Sequence, residues 1–238
     1  MILSKKEDAL HKAQLLRLLT EILDSSIAKN IYFKGGSAAT MLGFLDRFSV
    51  DLDFDLKPKA NKKIIDKNLR KVFQELDLKI SQKSSRSLFY ILKYSAQPGL
   101  RNTIKLSLID PALKSNIYSS FYLTEIDRFA FCQTKETMFA NKLVALLDRF
   151  ERNRSLAGRD IYDIHHFYIS GNGYLQSVIK ERTGLDQPQF LRKLIRFIEK
   201  HITQTIIDED LNSLLTKAQF DSIRKILKIE TVSLLEND

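Results

Sequence analysis

Asp51, Asp53 and Asp55 occupy alternate positions of SVDLDFDL, and the same stretch opens on Lys34-Gly35-Gly36-Ser37: IYFKGGSAATMLGFLDRFSVDLDFDL. In a strand, side chains alternate faces with a rise of about 3.3 Å per residue. The three carboxylates therefore share one face, while Val50, Leu52 and Phe54 take the other and belong to the core. Two neighbours in that row, roughly 6–7 Å apart at Cα by that rise, can converge on one hard cation. Mg²⁺ prefers oxygen ligands and keeps places for water and substrate phosphates. Glycines let a backbone approach a phosphate closely, and the start of a helix adds N–H groups and partial positive charge. Metal ligands and phosphate holder would then be neighbours across one short helix. Phosphoryl or nucleotidyl transfer needs that arrangement.

The elements that must position these residues follow from apolar periodicity. Leu15, Leu16, Leu19, Ile22 and Leu23 predict an amphipathic helix over 6–24, packed on a sheet. A short apolar strand is expected at 31–33, broken by Gly35-Gly36. Ser37 is placed as the N-cap of a helix over 38–46. Strict alternation predicts a strand over 49–56, ended by Pro58. Ile64, Ile65, Leu69, Val72, Phe73 and Leu76 predict a helix over 61–76. Strands are expected over 78–82, 87–95 and 103–109, the last two joined as a hairpin around Pro98-Gly99, with short strands over 121–125 and 129–132. From Thr134 onward the pattern is helical: 135–151, 158–169, 174–182, 187–204, 208–216 and 219–229. The expected class is α+β, with a mixed sheet and flanking helices over 1–130 and a helical bundle over 131–238.

Of the 238 residues 44% are hydrophobic, enough for a sizeable core. No apolar run approaches the ~18 residues of a membrane-spanning helix. The start, MILSKKEDALHKAQ, is charged and has no apolar signal core. A single cysteine, Cys132, cannot form an internal disulfide. Together these predict a cytoplasmic protein without a membrane partner. The formal charge of +9 suits a polyanion. Its basic residues cluster: Lys59, Lys62, Lys63, Lys67, Arg70 and Lys71, then Arg192, Lys193, Arg196 and Lys200, then Arg224, Lys225 and Lys228. Each cluster alone could be a solvated helix face; together they favour nucleic acid.

A second constellation lies in ETMFANKLVALLDRFERNRSLAGRDIYDIHHF (136–167). Lys142 has Met138, Phe139, Ala145 and Leu146 at helical spacing, with Arg149 further along the same side. A lysine amid apolar neighbours either snorkels to the surface or meets an anion, such as a nucleotide phosphate. Asp160 and Asp163 face one way at i, i+3; near a helix start they also suit the helix dipole. The adjacent His165 and His166 point about 100° apart on a helix and do not converge on a metal. Phe89, Tyr90 and Tyr94 could stack a base, but a sheet interior claims such residues more often. Gly171-Asn172-Gly173 reads as a helix-ending turn.

KGGS at 34–37 followed by RFSVDLDFD at 47–55 resembles the DNA polymerase β-type nucleotidyltransferase superfamily. Within it, the form is similar to the AbiEii/MenT-type toxin branch, whose pattern reads KGGT and then RxSxDxDF; Ser37 keeps the hydroxyl of the threonine. Residues 136–163 resemble the same branch's later Lys, Arg and Arg-Asp-x-x-Asp pattern. The resemblance implies that Lys34, Gly35, Gly36, Ser37, Ser49 and Arg149 bind the nucleotide. It implies that Asp51 and Asp53 hold Mg²⁺, or Mn²⁺ in its place, and that Lys142 and Asp160 are catalytic with them. It further implies an NTP substrate, an RNA acceptor (the tRNA 3′ end) and a toxin with a cognate antitoxin. The chain departs from the superfamily at the third carboxylate. The matching strand TIKLSLID offers Lys105 and Ser107 at its centre, with Asp110 only at its end. Two other readings stay open: a small-molecule (antibiotic) nucleotidyltransferase, and a catalytically degenerate nucleotide- or RNA-binding module.

Overall fold

β-Branched and aromatic runs separated by glycine and proline turns build one sheet, and leucine-rich amphipathic segments cover it. A computed structural model of the chain describes residues 1–110 and 112–238. The chain divides into two compact units, residues 1–112 with 118–133, and residues 113–117 with 134–238.

The first unit holds seven strands: β1 (Ile31–Lys34), β2 (Leu52–Leu56), β3 (Lys79–Lys83), β4 (Leu88–Lys93), β5 (Thr103–Ile109), β6 (Tyr118–Leu123) and β7 (Arg128–Gln133). Their order is β3-β4-β5-β2-β1-β7-β6. Only β2–β5 and β1–β7 pair parallel; the other neighbours are antiparallel. Phe33, Leu52, Phe54, Leu92, Ile104 and Leu106 are buried on one face. Helices α1 (Ala9–Asp24) and α3 (Lys62–Glu75) belong to this unit and bury Leu15, Leu18, Leu19, Ile65, Leu69 and Phe73. Asn61 caps α3, accepting from the N–H groups of Lys63 and Ile64. The predicted hairpin around Pro98-Gly99 is present as the β4–β5 pair.

Helix α2 (Gly35–Met41) begins directly after β1. Lys34 is its N-cap, so Ser37 lies inside the helix and not before it, and the helix ends at Met41, short of the expected Asp46. Strand β2 starts at Leu52, three residues later than alternation alone suggests. The Val50 and Asp51 carbonyls accept from side chains, His11 and Ser37.

The second unit is helical: α4 (Lys135–Asn153), α5 (Gly158–Ile169), α6 (Gln176–Thr183), α7 (Gln187–His201), α8 (Gln204–Leu211), α9 (Lys217–Ile223) and α10 (Leu227–Glu236). Beyond α7 the boundaries differ from expectation because Thr203 caps α8 and a Thr216–Gln219 capping box starts α9. The expected helix over 219–229 is two, α9 and α10. Phe139 and Phe167 stack at 4.9 Å between α4 and α5. A Cβ on Gly158 would meet the Ile206 carbonyl oxygen at 2.6 Å, so glycine there permits α8 to approach α5.

Candidate active site

Antiparallel pairing sets Lys34 opposite Asp53 and Tyr32 opposite Asp55. Parallel pairing sets Asp53 beside Ser107. These residues share the sheet face opposite the Phe33–Phe54 core.

The glycine turn touches the acid strand. Gly35 has φ +79°, a region that a side chain disfavours. A Cβ there would lie 2.8 Å from Asp53 Oδ2 and 3.1 Å from Asp53 Cβ. A Cβ on Gly36 would lie 2.8 Å from Ser49 Oγ and 3.0 Å from a guanidinium nitrogen of Arg47. The Ser37 hydroxyl donates to the Asp51 carbonyl and lies 3.0 Å from Ser49 Oγ. Lys34, Gly35, Gly36, Ser37, Ser49, Asp51 and Asp53 are therefore one cluster.

Two buried residues outside the expected set brace it. Arg47 is 3% exposed and donates to the Phe48 carbonyl at 2.9 Å. It is visible in the sequence as the arginine of RFSVDLDFD. His11, on α1, is 1% exposed. Its Nε2 donates to the Val50 carbonyl at 2.9 Å, and its Nδ1 lies 2.7 Å from the Tyr94 hydroxyl. Burial pushes the imidazole pKa below its usual value, which favours the neutral ring. No local signal in the sequence connects His11 to the segment before Asp51.

The third aspartate has a different task. Asp55 is 2% exposed and accepts from Lys34 Nζ at 2.5 Å, Gln133 Nε2 at 2.8 Å and the Tyr118 hydroxyl at 2.9 Å. It holds Lys34 and ties β1, β2, β6 and β7 together, so Lys34's charge is engaged within the protein. Ser107 occupies the strand position beside Asp53. Asp110 pairs with Lys62 at 2.5 Å. Among the described residues, no group of three or more His, Cys, Asp or Glu side chains is gathered as a metal site.

The later constellation lies in the helical unit and forms two rungs between α4 and α5. Lys142 Nζ is 2.6 Å from Asp163 Oδ2, and Arg149 Nε is 2.9 Å from Asp160 Oδ2. Asp163 is fully buried and Asp160 is 2% exposed, so both aspartates sit inside the unit as partners of these cations. Tyr90 and Tyr94 are also buried: Tyr90 donates to Asp66, and the Tyr94 hydroxyl lies 2.7 Å from both the Arg101 carbonyl and His11 Nδ1, which share its one proton.

Gly35→Ala tests the contact between turn and strand. The positive φ costs about 1–2 kcal/mol for any L side chain. The added methyl also displaces the Asp53 carboxylate, and a misplacement of about 1 Å can cost ~100-fold in rate. Gly99→Ala carries similar backbone strain (φ +82°) with nothing within 4 Å of the new Cβ. Thermal melts of the two variants should fall alike, while single-turnover transfer falls about a hundredfold for Gly35→Ala alone.

The mixed seven-stranded sheet and its helices make a fold that solved nucleotidyltransferase structures share. The chain belongs to the family described as nucleotidyl transferase AbiEii toxin, type IV toxin–antitoxin system, which matches residues 17–227. Three solved structures share the fold. A nucleotidyltransferase described as putative from H. pylori has a TM-score of 0.60 at 18% identity, covering 98% of this chain and 95% of its own. JHP933 from Helicobacter pylori has a TM-score of 0.58 at 18% identity, with 98% and 92% covered. MenT4, a nucleotidyltransferase toxin from Mycobacterium tuberculosis H37Rv, has a TM-score of 0.50 at 15% identity, with 98% and 85% covered. Among curated proteins none matches this chain in sequence. No helix among the described residues is long and apolar enough to cross a membrane.

Proposed function

We propose that this nucleotidyltransferase moves a nucleoside monophosphate from an NTP to a hydroxyl at the 3′ end of an RNA, with tRNA as the acceptor. It would act in the cytoplasm as a toxin countered by a cognate antitoxin. The observation that carries this reading is the close packing of the Asp53 side chain on Gly35, where an added Cβ would lie 2.8 Å from Asp53 Oδ2. A triphosphate laid on the Gly35-Gly36 backbone lies beside that acid without a side chain between them. In the reaction the acceptor oxygen bonds to the α-phosphorus, the bond to the β-phosphate bridge breaks, and pyrophosphate leaves.

Asp51 and Asp53 have the chemistry for a divalent ion: both are carboxylates, Asp51 immediately before β2 and Asp53 within it, and Asp53 lies against the Gly35 turn with no intervening side chain. Bound there, Mg²⁺ (or Mn²⁺) would neutralise the leaving pyrophosphate and make the attacking hydroxyl more acidic. Gly35, Gly36 and Ser37 take the triphosphate, Ser49 and Arg47 support that turn, and Lys34 stays poised on Asp55. On the family pattern, Lys142 and Arg149 have anion-holding roles and Asp160 a catalytic one. The net charge of +9 supports a polyanionic acceptor.

The test incubates the full chain with Mg²⁺, each α-labelled NTP in turn and total tRNA. Label should enter RNA, depend on the divalent ion, and disappear with Asp51→Ala. Label entering an aminoglycoside but no RNA would establish a small-molecule enzyme instead. Nucleotide binding without transfer to either would fit a binding module, the reading favoured by Ser107 beside Asp53.

A further inference from the structure

We infer that the outward face of β7, with Tyr32 and Lys57 beside it, is a stacking platform for single-stranded RNA that leads the acceptor end toward Asp53. The inference rests on the RNA reading above and deepens it by naming where the bases lie.

Strand β7 alternates. Ala130 and Cys132 point into the core, while Phe129 and Phe131 point out and are 71% and 51% exposed. Register puts Tyr122 of β6 opposite Phe129, and the two rings are 5.2 Å apart. On the other side Phe131 meets Tyr32 of β1 edge-on at 6.4 Å. Lys57 Nζ lies 4.8 Å from the Phe131 ring centroid and 5.0 Å from that of Tyr32. Exposed aromatic rings are costly to keep in water, and a contiguous row of them marks a binding surface.

The row continues into the candidate site. Tyr32 stands opposite Asp55, and Lys34, two residues on, stands opposite Asp53. The platform thus begins about 7 Å along β1 from the level of Asp53, on the same sheet face. Because β1 and β7 pair only at Phe33 and Cys132, the strands part before that point. They leave a cavity of about 280 Å³ with Phe129, Phe131 and Lys57 in its wall, room for one planar ring rather than a folded element.

The chemistry selects the occupant. Tyr32 is stacked on Tyr118 at 3.7 Å and so closes the row, while the exposed Phe129, Phe131 and Tyr122 rings offer bases stacking surfaces and Lys57 offers phosphates a counter-charge, the combination that binds single strands without sequence readout. The occupant follows from Lys57, a cation held among the rings that suits a charged strand, while on the same face Ser120 lies opposite Phe131 and Tyr122 opposite Phe129.

The test measures affinity of the full chain for a 5′-fluorescein single-stranded oligoribonucleotide, and for the same strand made abasic over its last residues. Phe129→Ser/Phe131→Ser should weaken the base-containing strand by about tenfold or more per ring and leave the abasic strand's affinity as it is. Lys57→Gln should weaken both strands. NTP binding should be unchanged in all variants. Equal loss for both strands in the phenylalanine variant, or no loss for either, overturns the platform. So does a wild-type dimer that this variant splits, since the face is then an interface between copies. If wild type binds neither strand, the RNA reading falls together with the platform; if wild type binds and the variants match it, the platform alone falls.

Discussion

Asp53→Asn is expected to remove nucleotidyl transfer from a protein that still folds, and Asp55→Asn to lower the stability of the fold itself. The two aspartates are two residues apart on β2 and face the same way, so sequence position hardly separates them. Their surroundings do. Asp53 faces the Gly35 turn, where on the proposed function its negative charge would hold a cation. Asparagine keeps the shape and loses the charge. Metal stabilisation of the transition state amounts to several kcal/mol, and at 1.36 kcal/mol per decade a loss of about a thousandfold in kcat is expected, with the melting temperature little changed. Asp55 is buried and accepts from Lys34, Gln133 and Tyr118. Asparagine presents its own N–H groups to donors and leaves the lysine without a counter-charge. Breaking a buried ion pair costs about 3–5 kcal/mol, a large part of an ordinary domain's 5–15 kcal/mol. Denaturant unfolding of both variants and single-turnover transfer separate the two effects. Equal destabilisation by the two substitutions, with transfer following stability, would remove Asp53 from the metal site.

The difference between those aspartates also marks the limit of reading them from sequence. Alternation placed Asp53 and Asp55 on one face of β2, as the pairing shows, whereas Asp51 falls just before the strand, where alternation no longer fixes its direction. Alternation could not give Asp55 its role, because two of its donors, Tyr118 and Gln133, arrive from strands far along the chain. The same holds for Ser37. Two glycines followed by serine suggest an N-cap, yet β1 runs directly into α2, and the hydroxyl turns to the Asp51 carbonyl instead. His11 is the extreme case: a histidine in a leucine-rich helix whose importance lies wholly in a distant carbonyl. The hydrophobic pattern was enough for α1, α3 and the central strands, which bury a regular face, whereas β3 (Lys79–Lys83) buries none of its residues. It was weaker after α7, where short helices are separated by threonine caps rather than by glycine or proline.

Lys142→Met is expected to weaken both stability and transfer, and only a second substitution can separate them. The lysine side chain is 15% exposed and its partner Asp163 is fully buried, at 2.6 Å. Removing the lysine alone takes the counter-charge at 2.6 Å from a buried carboxylate, at up to about 3–5 kcal/mol, so lost activity in that variant says nothing about catalysis. Replacing both partners with apolar residues of similar volume, Lys142→Met with Asp163→Leu, removes the stranded charge; such exchanges are often neutral or stabilising. The double variant should therefore melt close to wild type. If Lys142 lends its charge to a nucleotide phosphate, transfer stays depressed in the double variant, by about a hundredfold or more, the scale of a single lost charge-stabilising group. Chemical denaturation of the four members of the cycle, read beside single-turnover transfer, gives both numbers. Activity that returns with stability would reassign Lys142 to packing, as the counter-ion that lets Asp163 be buried between α4 and α5.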